Sequence, residues 1–444
     1  MGELKRVMRI RDGLAITVGI VIGAGILRTP GLIAGYLGNG WLILGVWALG
    51  GVVAALSTLV LAEMAAAMPQ AGGKFVYARE AYGPTAGFVA GWSELLVTRA
   101  FSGAIKAVAI AEYIIILAGG GSVRILATGV VVGFVFLHFG GLKVGTTFQN
   151  VTTAIKIVVL LAIAAAGMAA GDGGGLVEGP SMESATLLGL ALAYQAVAFA
   201  YYGWEDAAKM AEEISDPGRA LPRILIGGSL IVAVLYLMMN SAYLAALTPA
   251  EMAGSELVAQ DAVSGVFGGA AATMVVVASL LILVSSGNVN FLGMPRVAFA
   301  LSRARLAPRV FQYVSPKGTP VAGLLLIGVI ILGLASTAAL EFLIQFMMLV
   351  AISVDLMVLS AFFKLRRTHP DLPRPMRVPG GGWTAGLTLV LYVLILGIIV
   401  GTQPRLAVGG LVILGSLTLI GAIISRRLPA DAKSGLPESP SAEG

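Results

Sequence analysis

The sequence predicts an all-α integral membrane protein of about twelve transmembrane helices, arranged as two inverted five-helix repeats in which helices 1 and 6 are broken. Three observations predict it. Of the 444 residues, 58% are hydrophobic and only 12% are charged, whereas a soluble domain carries about 25% charge. Apolar runs of about 18–25 residues, the length that crosses a bilayer, recur along the chain. Interruptions fall in the first and the sixth of these runs, five spans apart, as an inverted repeat requires.

The spans are expected near 13–37, 42–67, 84–117, 124–140, 146–170, 185–205, 223–247, 270–300, 320–339, 341–363, 383–401 and 406–425. This divides the chain into an N-terminal segment (1–12), a first repeat (13–170), a second repeat (185–363), two further helices (383–425) and a tail (428–444). The tail is rich in Pro, Ser, Ala and Glu and is expected to be disordered. The first run follows basic residues, as in a signal peptide, but it is long, glycine-broken and followed by many more spans. It is therefore expected to be a retained helix.

Basic residues fix the expected orientation. With the N-terminus cytoplasmic, the inner segments hold Lys5, Arg6, Arg9, Arg11, Lys74, Arg79, Lys143, Lys209, Arg219 and Arg223, and further on Arg296, Arg303, Arg305, Arg309 and Lys317. Lys364, Arg366, Arg367, Arg374, Arg377, Arg426, Arg427 and Lys433 complete them, and the outer loops keep only Arg124 and Arg405. Acidic Asp172, Glu178, Glu183, Glu251, Glu256 and Asp261 fall outside. Both termini are thus expected inside, in a cell membrane. The acidic stretch 248–268 is expected to lie along the outer surface.

Composition also excludes chemistry. There is no cysteine, hence no disulfide and no thiolate site. Two histidines, His138 and His369, leave no histidine metal cluster or Ser-His-Asp triad, so neither an enzyme nor a metal or cofactor is expected. The net charge of +6 is distributed between apolar spans and does not point to nucleic acid.

The first interruption is Gly23-Ala24-Gly25. Glycine weakens a helix interior by about 1 kcal/mol relative to alanine. A helix that restarts there presents free N–H groups and a positive dipole end, which suit a carboxylate. Close helix packing by small residues is the alternative. In the sixth span, Phe199-Ala-Tyr-Tyr-Gly203 is followed at once by Glu205 and Asp206. That helix is expected to stop near Phe199, unwind and restart, exposing carbonyls that suit an ammonium. Together the two breaks fit a zwitterionic α-amino acid.

Several charges lie at or within the spans: Arg28, Arg99, Lys106 and Lys156. A charge at membrane depth is costly and marks function. Lys156 lies about ten residues inside its span, too deep for easy snorkelling. Glu94 and Arg99 are five apart and share no α-helical face, so each is expected to pair with another span. Lys106 is expected to face a cavity or a partner charge.

Ordered motifs now carry a resemblance. Val21-Ile-Gly-Ala-Gly25, Trp92-Ser-Glu94-Leu-Leu-Val-Thr-Arg99, Ala111-Glu-Tyr113, Thr153-Ala-Ile-Lys156, Phe199-Ala-Tyr-Tyr-Gly-Trp204, Glu212-Glu-Ile-Ser-Asp-Pro217, Leu221-Pro-Arg223 and the stretch ending at Arg305 follow one another at fixed spacing. Nearly the whole chain resembles the amino acid–polyamine–organocation superfamily with its LeuT-like fold. The similarity is to the L-type branch, the light subunits of heteromeric amino acid transporters and their bacterial relatives.

The resemblance implies that the N–H groups of Gly23, Ala24 and Gly25 bind the substrate carboxylate. Carbonyls of Val21, Phe199, Ala200 and Tyr201 would take its ammonium. Phe199 would close over it, and Gly203 and Trp204 would shape the side-chain pocket. Lys156 would hold first-helix carbonyls where sodium-coupled relatives hold sodium; as a group able to exchange a proton it leaves proton coupling open. Glu94 and Arg99 would be architectural, and Glu205, where relatives carry Asn, Asp or Glu, would be a structural or gating charge that does not by itself argue for cationic substrates. Glu212, Glu213, Arg223 and Arg305 would form salt bridges governing inner closure. The light subunits carry a cysteine for a glycoprotein partner; without one, no such disulfide can form here, and the chain is expected to work alone in the bilayer, its oligomeric state open. Tyr202, where some large-substrate members have glycine, suggests small or medium neutral amino acids.

The expected function is sodium-independent transport of neutral amino acids by alternating access and exchange. The alternative is proton-coupled transport that includes cationic amino acids or polyamines. A sensor would need an output domain, and a channel a ring of like residues; the sequence has neither signature.

Overall fold

The computed structural model describes residues 4, 6–171, 174–177, 186–255, 257–336 and 340–429. Asp172, Glu178, Glu183, Glu256 and the tail from 430 onward lie outside the described residues. The described residues are helical almost throughout. In order they form α1 (Ile10–Val21), α2 (Ala24–Leu37), α3 (Gly40–Ala67), α4 (Lys74–Tyr82), α5 (Pro84–Ser93), α6 (Arg99–Ala118), α7 (Val123–Phe139), α8 (Leu142–Ala170) and α9 (Gly174–Val177). Then come α10 (Leu187–Tyr201), α11 (Pro217–Ala246), α12 (Pro249–Gly254), α13 (Val258–Phe267), α14 (Ala270–Arg303), α15 (Val321–Ala335), α16 (Leu340–Thr368), α17 (Gly382–Thr402) and α18 (Pro404–Arg426).

Ten helical segments among the described residues are long and apolar enough to cross a bilayer, and the shorter α7 and α15 fill the fourth and ninth places. The chain is a multi-pass membrane protein. Burial differs sharply along it: 83% of the apolar window of the first span is buried, against 22% for α17 and for α18. The first span is therefore the centre of the bundle. The last two are peripheral, with Leu387, Val390, Leu411, Val412 and Leu419 exposed in a face that suits an apolar surrounding such as lipid.

Each broken element has a local cause. α1 is capped by Asp12, whose carboxylate accepts from the Arg9 N–H at 2.8 Å. It ends because Ile22 turns extended (φ −72°, ψ 96°) and Gly23 adopts φ −151°, ψ −139°, before α2 restarts. Gly25 has a separate role: a β-carbon there would stand 2.4 Å from Ala200 Cα. The expected break and the alternative of close packing thus both occur, two residues apart.

The sixth span departs from expectation. α10 runs past Phe199 to Tyr201, and the chain unwinds over Tyr202–Glu205, with Gly203 at φ +122°, a conformation side chains disfavour. It restarts as a 3₁₀ helix over Asp206–Glu213. The third span holds a π-helical turn at Glu94–Thr98 between α5 and α6. The 248–268 stretch folds as α12 and α13, with a Thr248/Glu251 capping box opening α12.

The N-terminal segment crosses the end of the 3₁₀ helix. Val7 and Met8 N–H groups donate to the Glu213 carbonyl at 2.9 and 2.8 Å, and Ser215 N–H donates to the Met8 carbonyl at 2.9 Å.

Candidate functional site

α1 packs against α8, α11 and α14, and α2 against α10, so the helix breaks lie inside the bundle. Between them is a narrow cavity of about 10 Å³ lined by Ile20, Val21, Gly23, Ala24, Gly25, Ser102, Lys106, Phe199, Tyr202 and Met347. That is room for about one water, so the site is closed in this conformation and its walls must part to admit an amino acid.

One wall is the start of α2. Helix starts leave N–H groups without intrahelical partners, and those of Gly23, Ala24 and Gly25 meet no main-chain acceptor among the described residues. The opposing carbonyls are partly engaged. The Tyr236 hydroxyl, from α11, reaches the Val21 carbonyl at 2.7 Å and the Ala200 carbonyl at 3.1 Å. Phe199 accepts from Tyr202 N–H at 3.2 Å. A carbonyl has two lone pairs, so each keeps one for a further donor. Tyr236 thereby ties both breaks together, a role the sequence did not reveal.

Lys156 rises from α8 behind α1. Its ammonium donates to the Gly19 and Ile22 carbonyls, both at 2.8 Å, and to Ile282 of α14 at 3.4 Å. The Ser286 hydroxyl, also from α14, donates to the Ile20 carbonyl at 2.8 Å. The carbonyls freed by the end of α1 are thus met by side chains of three other helices, which is how irregular backbone persists at membrane depth.

Below Tyr202, toward the end of the bundle bearing the N-terminal segment, lies a buried charge cluster. Lys74 contacts Asp355 at 2.5 Å, Glu205 at 3.2 Å and Glu94 at 3.7 Å. Arg99 contacts Glu205 at 2.5 Å, Asp206 at 2.8 Å and Glu94 at 3.6 Å. Lys209 contacts Glu94 at 2.6 Å and also pairs with Asp206. Every side chain in it is less than 5% exposed. Glu94 and Arg99 thus each pair with the sixth span, as expected, and in addition meet each other at 3.6 Å, because the wider π-turn with its i→i+5 hydrogen bonds brings residues five apart closer than an α-helix does. The Tyr202 hydroxyl contacts Lys74 (2.8 Å) and Glu94 (3.2 Å), so its ring divides cavity from cluster.

Oxygen atoms of Glu94, Glu205 and Asp206 come within 4.8 Å of one another, a spacing a cation could bridge. Arg99 and Lys209 already supply positive charge between them, which disfavours a metal.

Other expectations shift. Tyr201 and Trp204 line a separate cavity with Tyr194, Asp355 and Tyr392, and the Tyr201 hydroxyl donates to the Trp47 carbonyl. Gly203 packs against Ile20, where an added β-carbon would lie 3.0 Å away, and lines neither cavity. Glu213 pairs with Arg296 at 2.8 Å and Glu212 with Arg303 at 2.7 Å, replacing the expected Arg223, which has no carboxylate within 4.0 Å among the described residues. At the opposite end, Arg28 pairs with Glu112.

A family model described as amino acid permease matches residues 12–423. The chain is 27% identical over 391 residues to the b(0,+)-type amino acid transporter 1 of Mus musculus, covering 85% of this chain and 79% of that protein. It is 28% identical over 311 residues to the serine/threonine exchanger SteT of Bacillus subtilis (strain 168), covering 69% and 70%. It is 27% identical over 392 residues to the large neutral amino acids transporter small subunit 2 of Mus musculus, covering 84% and 73%.

Proposed function

The chain belongs to the amino acid permease family of membrane transporters, and from that premise we propose that it carries neutral amino acids without sodium, by alternating access and exchange, in a cell membrane with both termini cytoplasmic. The observation that carries the sodium-independent reading is the Lys156 ammonium, 2.8 Å from the Gly19 and Ile22 carbonyls and 3.4 Å from Ile282. Three carbonyls converging from α1 and α14 are a ready cation site, and a tethered cation fills it.

The substrate carboxylate binds the N–H groups of Gly23, Ala24 and Gly25, and its ammonium the free lone pairs at Val21, Phe199 and Ala200, with Tyr201 behind them. Phe199 covers it. No lining residue of this cavity is acidic, which favours neutral over cationic side chains. The charge cluster closes the cytoplasmic side and must part for release, with Glu212–Arg303 and Glu213–Arg296 as its outer fastenings. The breaks in the first and sixth spans support two inverted repeats. The names of the relatives, which include an exchanger, support exchange.

Counterflow in proteoliposomes tests the proposal. Labelled alanine should enter sodium-free vesicles when unlabelled amino acid is inside and should not enter empty ones. A second reading, proton coupling, draws on one observation: the cluster joins four carboxylates (Glu94, Glu205, Asp206, Asp355) to three bases (Lys74, Arg99, Lys209), one positive charge short of balance. Uptake into empty vesicles driven by an inward proton gradient would favour that reading.

A further inference from the structure

Resting on the amino acid reading above, we propose that Lys106 selects the substrate's side chain by donating a hydrogen bond to an oxygen atom on it. Lys106 lies in the middle of α6, is 4% exposed, and lines the cavity between the helix breaks. Its amino group makes one hydrogen bond, to the Ser286 carbonyl at 3.4 Å, longer than the ~2.7–3.2 Å of a good N–H···O bond. No carboxylate lies within 4.0 Å of it among the described residues. Every other buried lysine of this region is fully engaged: Lys74 and Lys209 by carboxylates, Lys156 by carbonyls. Lys106 alone faces the cavity with donors to spare.

The cavity's geometry leaves the side chain as its partner. An α-amino acid brings three groups. The carboxylate is taken by the start of α2, and the ammonium by the carbonyls at the ends of α1 and α10. The remaining wall consists of Ser102 and Lys106, four apart and so on one face of α6, with Ile20, Tyr202 and, from α16, Met347. Such a wall suits a short side chain carrying an acceptor: a hydroxyl, an amide or a carboxylate. Lysine and arginine side chains carry donors only and leave Lys106 without a partner. A buried polar group left unpaired is what gives a site strong discrimination against a substrate lacking the complementary atom.

Threonine and valine have nearly the same shape and differ in the hydroxyl, so their competition against labelled alanine in proteoliposomes isolates the contact. The intact transporter should favour threonine over valine by about fivefold or more, the size of one net hydrogen bond. Lys106→Met, close in length and without a donor, should bring the ratio to one or below, while Lys106→Gln should keep part of it. If Lys106→Met does not transport, the same ratio is read from stabilisation of the purified protein by each amino acid. An unchanged threonine-to-valine ratio in the variant overturns the proposal and leaves the transport reading standing. So does an equal loss for all amino acids, which would mean Lys106 holds the carboxylate. A wild-type protein that neither moves nor binds any neutral amino acid overturns both.

Discussion

The Tyr236 hydroxyl stands 2.7 Å from the Val21 carbonyl at the end of α1, and the same oxygen reaches the Ala200 carbonyl at the end of α10. One side chain thus joins the two broken helices from behind the cavity. Tyr236→Phe keeps the packing and removes the bond. It leaves buried carbonyls short of a donor at about 1–3 kcal/mol. The expected result is a folded, less heat-stable protein with a higher substrate KM, measured by thermal unfolding and counterflow. Unchanged kinetics would show that the breaks do not need this tie.

Lys156→Ala should remove the tethered cation and leave the Gly19, Ile22 and Ile282 carbonyls facing one another. Transport in sodium-free buffer should be lost. Because the vacated carbonyls suit a small cation, sodium chloride should raise the unfolding temperature of the variant and not of the wild type, with choline chloride as control. A variant transporting normally without sodium would remove the main support for the proposed cation role.

Gly25→Ala should abolish transport, because its new β-carbon would meet backbone, Ala200 Cα at 2.4 Å, and backbone cannot rotate aside. Gly45→Ala in α3 is the control. Nothing lies within 4 Å of that position, and alanine favours helix over glycine by about 1 kcal/mol. Gly45→Ala should therefore be neutral or slightly stabilising. Equal effects of the two changes would show that close approach at Gly25 is unimportant.

Some of this site was legible in the sequence because its signals are local. Paired glycines inside an apolar run marked the break at Gly23, and a lone lysine deep in a span marked Lys156. The contributions of Tyr236 and Ser286 were not legible: they bond carbonyls 215 and 266 residues away, and any donor can satisfy a carbonyl, so the pairing leaves no complementary residue type to find. Pairing of Glu94 and Arg99 with the sixth span was legible, but their own 3.6 Å contact was not, because 3.6-residue periodicity sends residues five apart to different faces and only the π-turn brings them together. Trp204 was assigned to the pocket by motif. The unwinding begins two residues later than expected, at Tyr202, and Trp204 lines the neighbouring cavity instead.

Glu213 and Glu212 are adjacent, yet their losses should differ. Glu213 and Arg296 are bonded through both carboxylate oxygens, at 2.8 and 3.0 Å, and their side chains are 1% and 2% exposed. Removing one partner of such a buried pair costs about 3–5 kcal/mol. Arg303 is 43% exposed beside Glu212, and a pair screened by solvent is worth about 0–1 kcal/mol. Glu213→Gln should strongly lower thermal stability, and Glu212→Gln should barely change it. Comparable losses would contradict the burial contrast.

Lys74 sets the final expectation. Burial pushes its amino group down, but Asp355 and Glu205 pull it up and win, holding it well above the ordinary lysine value. A base raised on folding stabilises the protein fully below its unfolded value, about 10.4, and that contribution is lost only as pH rises through the higher folded value. Lys74 is therefore expected to keep its own proton between about pH 5 and 9. Lys74→Met should destabilise the protein by leaving buried carboxylates unpaired, and because such carboxyls are relieved by taking up a proton at low pH, the loss should be smallest near pH 5 and grow toward pH 9. A loss that fades as pH rises toward 9 would show that Lys74 gives up its proton within the working range.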